Sequence, residues 1–397
     1  MTLWSRRPGL APLPAAACVV AIAALFWPLA WRGVAPPVDP DADPLDAVGQ
    51  TTWTALSWGS LHPALAVAAL VLATCLVCGL VARKRGRWPR LEAFMLTPAI
   101  LAGAALPFWL LASGLALGVG AWLMVAAAIL LVWRVLTRLS EDPGWGRSLV
   151  VPAVFGILIL YLWEVVVRGF GVPLILLPPP SLVAVTAFGN GAILAGDFTQ
   201  TVLRSALRGY LIGCSAGLAI AILCDRFPAL GRGLLPYGNL VSAVPMVGIA
   251  PIMIMWFGFG WESKAAVVVV TTLFPMLTNT LAGLATTERL QLDLMRSYAA
   301  GYWRTLLMVR LPNALPFIFN ALKINSTFAL ISAIVAEFFG TPIAGMGFRI
   351  STEVARMNLG MVWATILVAA VTGSALYGGL SLLERAVTSW HPSYRGR

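Results

Sequence analysis

The sequence predicts an all-α, polytopic membrane protein. Hydrophobic residues make up 59% of the 397 residues and charged residues 11%, and the mean hydropathy is +0.87. These values do not fit soluble domains of this length. The chain contains about ten apolar runs, each close to the roughly 20 residues that a helix needs to cross a bilayer. Because the runs are continuous rather than alternating, they favour helices over a β-barrel.

Basic residues indicate the topology. The net charge is +11, but Lys and Arg are scattered among the loops instead of gathered on one face, which disfavours nucleic acid as a partner. The run Arg83–Arg87 follows an apolar segment and predicts a cytoplasmic loop. If the spans alternate, both termini are cytoplasmic and the acidic stretch Asp39–Asp46 is outside.

Residues 1–148 contain four of the expected spans and no motif that assigns them a role. We expect an accessory membrane region, which fits a separate membrane domain, a lipid-facing collar or a site for another partner. Its spans are expected near residues 15–30, 64–82, 94–112 and 116–133.

Residues 149–397 contain the other six spans. The fifth span, 149–167, carries Glu164 with Arg168 one turn later. An ionisable residue in a span costs roughly 2.5–3.5 kcal/mol on insertion scales, so the two side chains are expected to pair. An interfacial pair and a functional role both fit.

The seventh span is interrupted by Pro236, Pro245 and Pro251. Broken helices at membrane depth persist only where protein or an aqueous cavity satisfies the freed carbonyls. The interruption predicts a polar path beside Ser242, Pro245, Met246 and Pro251, although a kink that serves only packing fits as well.

Two further polar residues lie near the ends of later spans. Asn279, in the eighth span, and Glu337, at the end of the ninth, are candidates for the same path, and a structural role is the alternative for Asn279. Arg204, Arg208 or a second copy of the chain are the partners considered for Glu337.

The polar stretch Asp293–Pro316 interrupts the apolar sequence. Leu290, Leu294 and Tyr298 recur at helical spacing and give a short helix one apolar side, which is typical of a helix that docks in a groove. Gly301 is expected to end this helix in a left-handed turn. The pairs Leu311-Pro312 and Leu315-Pro316 are expected to bound the segment after the turn. We call residues 288–316 the knuckle.

The knuckle resembles the cytoplasmic signature of ABC importer permeases, Glu-Ala-Ala, three residues, Gly, nine residues, Ile, one residue, Leu-Pro. In the family this segment is the coupling helix that docks in a cleft of the ATP-binding subunit, so the resemblance implies that role here. An ordinary basic loop is the alternative. The register is continuous, with Asp293 for Glu, Leu294 and Met295 for the two Ala, Ala299 for Gly, Val309 for Ile, and Leu311-Pro312 identical.

The resemblance continues from about Leu149 nearly to the end of the chain. Leu177–Ser181 resembles the Leu-Pro-x-Pro-Ser segment of the nitrate, sulfonate and taurine branch, and Trp256–Lys264 resembles a Trp-Phe-Gly-x-Gly-x-x-Ser-Lys boundary. The family implies a type I importer core of six helices in the bacterial plasma (inner) membrane. Parts of the knuckle and of the ninth span look more like permeases for thiamine-pyrimidine or riboflavin-type heterocycles, which we favour over sulfonate, nitrate or taurine.

The resemblance also implies the partners. These are a dimer of ATP-binding cassette subunits, a second permease copy forming a homodimer, an extracytoplasmic solute-binding protein and membrane lipid. The chain has no Gly-x-x-x-x-Gly-Lys-Ser/Thr loop, so ATP and Mg are expected on the partner subunit and no cofactor on this chain.

Other classes of function have less support in the sequence. The five cysteines and two histidines do not form a metal-binding or redox pattern, and no clustered His, Cys or carboxylate group predicts an enzyme. An ion-coupled secondary transporter is the main alternative, but only Glu164 and Glu337 are plausible ion sites in the spans.

Overall fold

The computed structural model describes most of the chain. The described ranges are 13–25, 27–34, 52–57, 89–141, 150–242, 245–340 and 343–390. The expected second span, 64–82, lies outside them. The chain divides into two compact units, Met1–Ser181 and Leu182–Arg397. The division between an accessory region and a permease core near residue 148 remains a prediction about function.

Within its described residues, the first unit combines four helices with a small sheet. The expectation of an all-α fold is therefore wrong in this detail. The elements are α1 (Leu13–Ala24), β1 (Ala30–Val34), β2 (Thr52–Leu56), α2 (Pro89–Ala112), β3 (Ala116–Leu117), α3 (Val119–Glu141) and α4 (Val151–Gly169).

The expected first span, 15–30, is shorter in the structure: α1 ends at Ala24, and the sheet begins where the span was expected to end, at Ala30. Pro28 cannot continue a helix, and the following residues form β1, which pairs antiparallel with β2 and β3 in the order β2-β1-β3. In the pairing of β1 with β2, Trp31 lies opposite Ala55 and Arg32 opposite Thr54. β-Branched and aromatic residues favour strands.

Close backbone contacts hold the first unit together. The amide of Gly118 donates to Leu29 O at 2.8 Å, and a Cβ on Gly118 would lie 2.3 Å from Pro28 O. Only glycine fits at that approach. Buried Ala17, Ala21 and Ala24 give α1 a flat face in the core that it shares with α3.

The predicted pair between Glu164 and Arg168 is confirmed. The same carboxylate accepts the backbone N–H of Ser181 at 2.8 Å and its hydroxyl at 2.6 Å. Ser181 is the second residue of α5 (Pro180–Gly189), so Glu164 places a negative charge at the N-terminus of that helix, where the helix dipole stabilises it.

The second unit is helical throughout its described residues. Two of its helices are unusually long and contain π-helical turns, at Thr199–Ala206 in α6 and at Leu306–Arg310 in α11. The helices after α5 are α6 (Gly191–Arg226), α7 (Pro228–Ser242), α8 (Met246–Phe257), α9 (Trp261–Ala285), α10 (Arg289–Ser297), α11 (Tyr302–Glu337), α12 (Met346–Ala355) and α13 (Leu359–Val387).

Within the described ranges, six helices are long and apolar enough to cross a membrane, so the expected count of about ten is not confirmed. Three other expected spans have shorter counterparts: α1 has 12 residues, the described apolar part of α2 is Leu96–Ala112, and the seventh span is divided between α7 and α8. The six are Val119–Thr137, Val151–Gly169, Gly191–Arg226, Trp261–Ala285, Tyr302–Glu337 and Leu359–Val387.

Helix α9 packs closely against α6 and α11. A Cβ on Gly213 would lie 2.1 Å from Thr272 Oγ1, and one on Gly217 would lie 2.5 Å from Leu273 O. The small residues 213–217 allow this close approach of the two helices. On the other side, Asn325 Nδ2 donates to Thr272 O at 2.8 Å. The three helices therefore form one tightly packed layer.

Pro312 and Pro316 lie inside α11 and do not bound it, contrary to expectation. The π-helical turns end at Arg310, directly before Leu311-Pro312. A local change from α to π geometry lets a helix continue where a proline ring removes a backbone donor.

Candidate functional site

The knuckle consists of α10, a short turn and the first turns of α11. Each of the residues of its predicted apolar stripe is exposed, Leu290 by 78%, Leu294 by 56% and Tyr298 by 75%. No residue of α10 is buried. An exposed stripe of large apolar side chains on a short amphipathic helix is typical of a docking surface.

The turn of the knuckle is made by a residue other than the expected one. Ala299 has a φ of 51°, in the left-handed region, whereas Gly301 is extended, with φ −68° and ψ 170°, and precedes α11. The expectation that Gly301 makes the left-handed turn is wrong. Helix α10 ends at Ser297, which leaves Ala299 at the left-handed position that glycine usually occupies.

The remaining predicted coupling residues occupy mixed environments. Asp293 is exposed and pairs with Arg296 at 3.1 Å, and such surface pairs contribute little stability. Met295 and Val309 are half-buried. Leu311 packs against the buried cluster that contains Leu284 and Leu306, while Pro312 follows it within α11.

A cluster of charges, which sequence reasoning missed, attaches the knuckle to α6. Asp225, near the end of α6, accepts two hydrogen bonds of 2.7 Å from the terminal nitrogens of Arg310. It also accepts the hydroxyl of Tyr302 at 2.8 Å. Arg310 donates further to Leu284 O at 3.3 Å, near the end of α9. We call Asp225, Tyr302 and Arg310 the clasp.

The clasp has the geometry of a strong ion pair. Two parallel bonds from a guanidinium to one carboxylate are shorter and stronger than neutral hydrogen bonds, and the side chains of Arg310 and Asp225 are only 20% and 11% exposed. A signal was present in the sequence, since both residues stand at the ends of apolar runs. Their pairing could not be inferred, because 85 residues separate them.

A second polar cluster lies at the opposite ends of the same two helices. Thr201 Oγ1 donates to the Glu337 carboxylate at 2.9 Å and accepts the Met346 N–H at 2.7 Å. The Gly347 N–H donates to Glu337 at 2.8 Å. Thr201 is fully buried and Glu337 is 2% exposed. We call this group, together with Asp197, the far-end network.

Asp197 extends the far-end network to α12. It accepts the Gly345 N–H at 2.8 Å and Arg349 Nε at 2.8 Å, and the hydrogen bond to Asp197 raises the pKa of Arg349. Gly345 has a φ of 139°, and a Cβ there would lie 2.7 Å from the Glu337 carboxylate. Side chains of Asp197, Thr201 and Glu337 therefore each accept a backbone N–H at the start of α12. Position 345, next to the Glu337 carboxylate, has room only for glycine.

Neither arginine considered as a partner of Glu337 is among its hydrogen-bond partners. Arg204 donates to Gln200 at 3.3 Å, and Arg208 lies 4.3 Å above the centre of the Trp261 ring. The hydrogen bonds of Glu337 instead join α11 to α6 and α12. Its position in a path remains a prediction.

Four of the other predicted path residues lie around the break between α7 and α8, and the fifth, Asn279, lies within α9. Pro245 is exposed and immediately precedes α8, and Met246 packs against a cluster that includes Ile249 and Ala250. Pro251 is exposed within α8. Asn279 donates to Pro275 O in its own helix at 2.8 Å. Ser242 is the last residue of α7, and its side chain is outside the described atoms.

A buried ion pair joins α11 to α13. Lys323 Nζ lies 2.7 Å from Glu384 Oε2, and the two side chains are 14% and 8% exposed. As in the clasp, both charges are largely buried, so loss of either one would leave the other without a partner and with little access to water. It holds the two helices together without touching the knuckle.

The left-handed alanine gives a prediction about the knuckle. Replacing Ala299 by Gly should raise the free energy of unfolding by about 0.5–1 kcal/mol, because a Cβ disfavours the left-handed conformation by about 1–2 kcal/mol and glycine loses part of that gain in chain entropy. Thermal unfolding of the purified protein in detergent measures the change.

Gly301→Ala is the matched control for Ala299→Gly. Gly301 has an ordinary φ, and no described atom lies within 4 Å of the position of its Cβ. The control should leave the unfolding midpoint nearly unchanged. Destabilisation by Ala299→Gly would contradict the turn geometry.

Loss of one hydroxyl should weaken the far-end network. Thr201→Val keeps the shape of the side chain but leaves the Glu337 carboxylate and the Met346 N–H without this partner, and an unsatisfied buried charged group costs about 2–3 kcal/mol. We expect a clear fall in the thermal unfolding midpoint.

The control for Thr201→Val is Thr365→Val. Thr365 is also fully buried, but its hydroxyl donates to Met361 O in its own helix. Loss of that bond leaves no charged group without a partner. Equal effects of the two substitutions would argue against a special role for Thr201.

Comparisons with known proteins place these features in context. The family described as "Binding-protein-dependent transport system inner membrane component" matches residues 209–389. A protein of Haemophilus influenzae named as an ABC transporter permease protein is 31% identical over 237 residues, which cover 59% of this chain and 96% of that protein.

Two other relatives carry more specific names. An aliphatic sulfonates transport permease protein of Bacillus subtilis is 29% identical over 256 residues, covering 64% of this chain and 90% of that protein. A riboflavin transport system permease protein of Chloroflexus aurantiacus is 29% identical over 239 residues, covering 59% of this chain and 88% of that protein. The family match includes the knuckle, Asp225 and Glu337.

Proposed function

The chain belongs to the family of binding-protein-dependent transport system inner membrane components and is an ABC transporter permease; from this premise we propose that it forms the translocation path of an ATP-driven importer. In this proposal a small organic or anionic solute is delivered by an extracytoplasmic binding protein. Two copies of the chain form the path, and a dimer of ATP-binding subunits supplies the energy.

The exposed stripe of the knuckle carries this proposal. Leu290, Leu294 and Tyr298 are exposed in a segment that is too polar for lipid, since Asp293 and Arg296 lie beside them. An apolar side between charged neighbours is stabilised by a protein groove rather than by water or acyl chains. We assign that groove to the ATP-binding subunit, so the knuckle is cytoplasmic in this proposal, and we propose the same side for both termini.

The knuckle then acts as a two-state element. ATP binding closes the partner subunits and shifts the docked knuckle, and the long helices α6 and α11 change access to the path from one side of the membrane to the other. Such a shift requires only that the partner bind the two arrangements of the knuckle with different affinity.

The solute belongs to one of two classes in this proposal. The named relatives transport aliphatic sulfonates and riboflavin, and both classes remain candidates here. We favour a heterocycle of the thiamine-pyrimidine or riboflavin type, with sulfonate, nitrate or taurine as the second class, because of the resemblance in the knuckle and the ninth span.

Docking of the knuckle can be tested by co-purification. The double variant Leu294→Ser/Tyr298→Ser removes most of the stripe, and we expect retention of the ATP-binding subunit from detergent-solubilised membranes to fall at least tenfold, as expected when about 1.4 kcal/mol or more of docking energy is lost. The Asp225–Arg310 contact is untouched, so the chain itself should remain folded.

Arg296→Ser is the matched control for docking. It introduces the same residue at another exposed position of α10, off the stripe, and should change retention less than twofold. If the control abolishes retention as strongly as the double variant, the apolar stripe is not the docking surface.

Transport is tested in proteoliposomes that contain the chain, its ATP-binding subunit and its binding protein. We expect ATP-dependent uptake of riboflavin or of taurine, at least tenfold above vesicles whose ATP-binding subunit cannot hydrolyse ATP. Uptake that needs an ion gradient and no ATP-binding subunit would support the secondary transporter instead.

A further inference from the structure

Helices α6 and α11 are tied to each other at both ends. At the knuckle end, Asp225 of α6 binds Arg310 of α11 through two hydrogen bonds of 2.7 Å. At the other end, Thr201 of α6 donates to Glu337 of α11 at 2.9 Å. The helices are therefore antiparallel, and each tie joins the last turn of one helix to a position two to three turns inside the other. At 1.5 Å per residue the two ties are about 36–40 Å apart.

Between the two ties, the helices are densely packed. Both helices pack on α9, where Gly209, Gly213 and Gly217 of α6 bring the backbones together. Asn325 of α11 donates to a backbone carbonyl of α9 from a fully buried position. Densely packed helices respond to a displacement as a body rather than by bending along their length.

Each tie also coincides with a change of helix geometry. Thr201 lies in the π-helical turns Thr199–Ala206, and Arg310 ends the π-helical turns Leu306–Arg310. π-Helical turns are rare and often occur at functional positions. Both ties therefore lie at positions where the regular α-helical geometry is interrupted.

One carboxylate controls the attachment of the knuckle to α6. Asp225 accepts from Tyr302, in the first turn of α11, and from Arg310, two turns later. Bonds from two positions about two turns apart fix the direction of the start of α11 as well as its distance. The ring of Tyr302 is held further by Arg226, whose guanidinium lies 5.0 Å from the ring centre.

We infer that Asp225 is a positioning residue that makes α6 and α11 move as one lever, so that a displacement of the knuckle reaches the far-end network around Glu337. The knuckle receives the displacement, the clasp conveys it to both helices, and the bonds from Thr201 and Gly347 to Glu337 deliver it to α12. This inference rests on the proposed function, because it requires an ATP-binding subunit on the knuckle.

Hydrogen–deuterium exchange tests the inference without knowledge of the solute. The complex of the chain with its ATP-binding subunit is measured without nucleotide and after trapping with ATP and vanadate. In the wild type, trapping should change exchange both in peptides of the knuckle, near 288–305, and in peptides of α12, near 345–358. In Asp225→Asn the change at the knuckle should persist and the change at α12 should fall at least threefold.

Three further variants separate transmission from folding. Asp225→Glu keeps the carboxylate and should restore part of the change at α12. Tyr302→Phe keeps the ring and removes one bond to Asp225, so it should give a smaller loss; it also serves if Asp225→Asn does not accumulate. Glu384→Gln breaks the buried pair with Lys323, which is away from the knuckle, and should leave the change at α12 within twofold of wild type.

The possible outcomes separate the lever from the proposed function. A wild-type change at α12 that persists in Asp225→Asn, or is lost equally in Glu384→Gln, overturns the lever. A wild-type complex in which trapping affects the knuckle alone also overturns it, while leaving the proposed function intact. Failure of the wild type to retain an ATP-binding subunit overturns the proposed function, and the inference with it.

Discussion

The pairing of Asp225 with Arg310 is the interaction on which the arrangement of the second unit depends. Charges in long apolar helices are tolerated when they are paired, and removing one partner leaves the other buried with nothing to replace it. Here the pairing joins the end of α6 to the start of α11 and, through Leu284 O, to the end of α9. The knuckle is thus fixed to the helices at the start of α11, which gives it a defined direction, while its apolar stripe on α10 stays exposed.

Local features of the second unit could be predicted from the sequence. The apolar runs predict spans because length and hydropathy act over one helix, and the exposed stripe of the knuckle follows from helical spacing. The close approach at Gly213 and Gly217 and the pair between Glu164 and Arg168 also depend on residues within one or two turns, and the structure contains both. The resemblance to ABC importer permeases is confirmed by the family match and by the relatives.

Features set by distant residues could not be predicted in this way. The partners of Glu337 come from α6 and α12, and those of Asp225 from α11, so neither cluster has a local pattern. The strand Ala30–Val34 pairs with β2 and β3, which lie far from it in the sequence, so this sheet has no local pattern either. Ala299 breaks the usual association of left-handed turns with glycine, since the surrounding turn determines its conformation.

The central claim is that the knuckle is the point at which an ATP-binding subunit moves this permease. An electron cryomicroscopy structure of the complex between the chain and that subunit tests it most directly. The expected result is that Leu294 and Tyr298 are buried in a cleft of the subunit while Asp225 still binds Arg310. A complex in which the stripe remains exposed, or in which the subunit binds elsewhere on the chain, would contradict the claim.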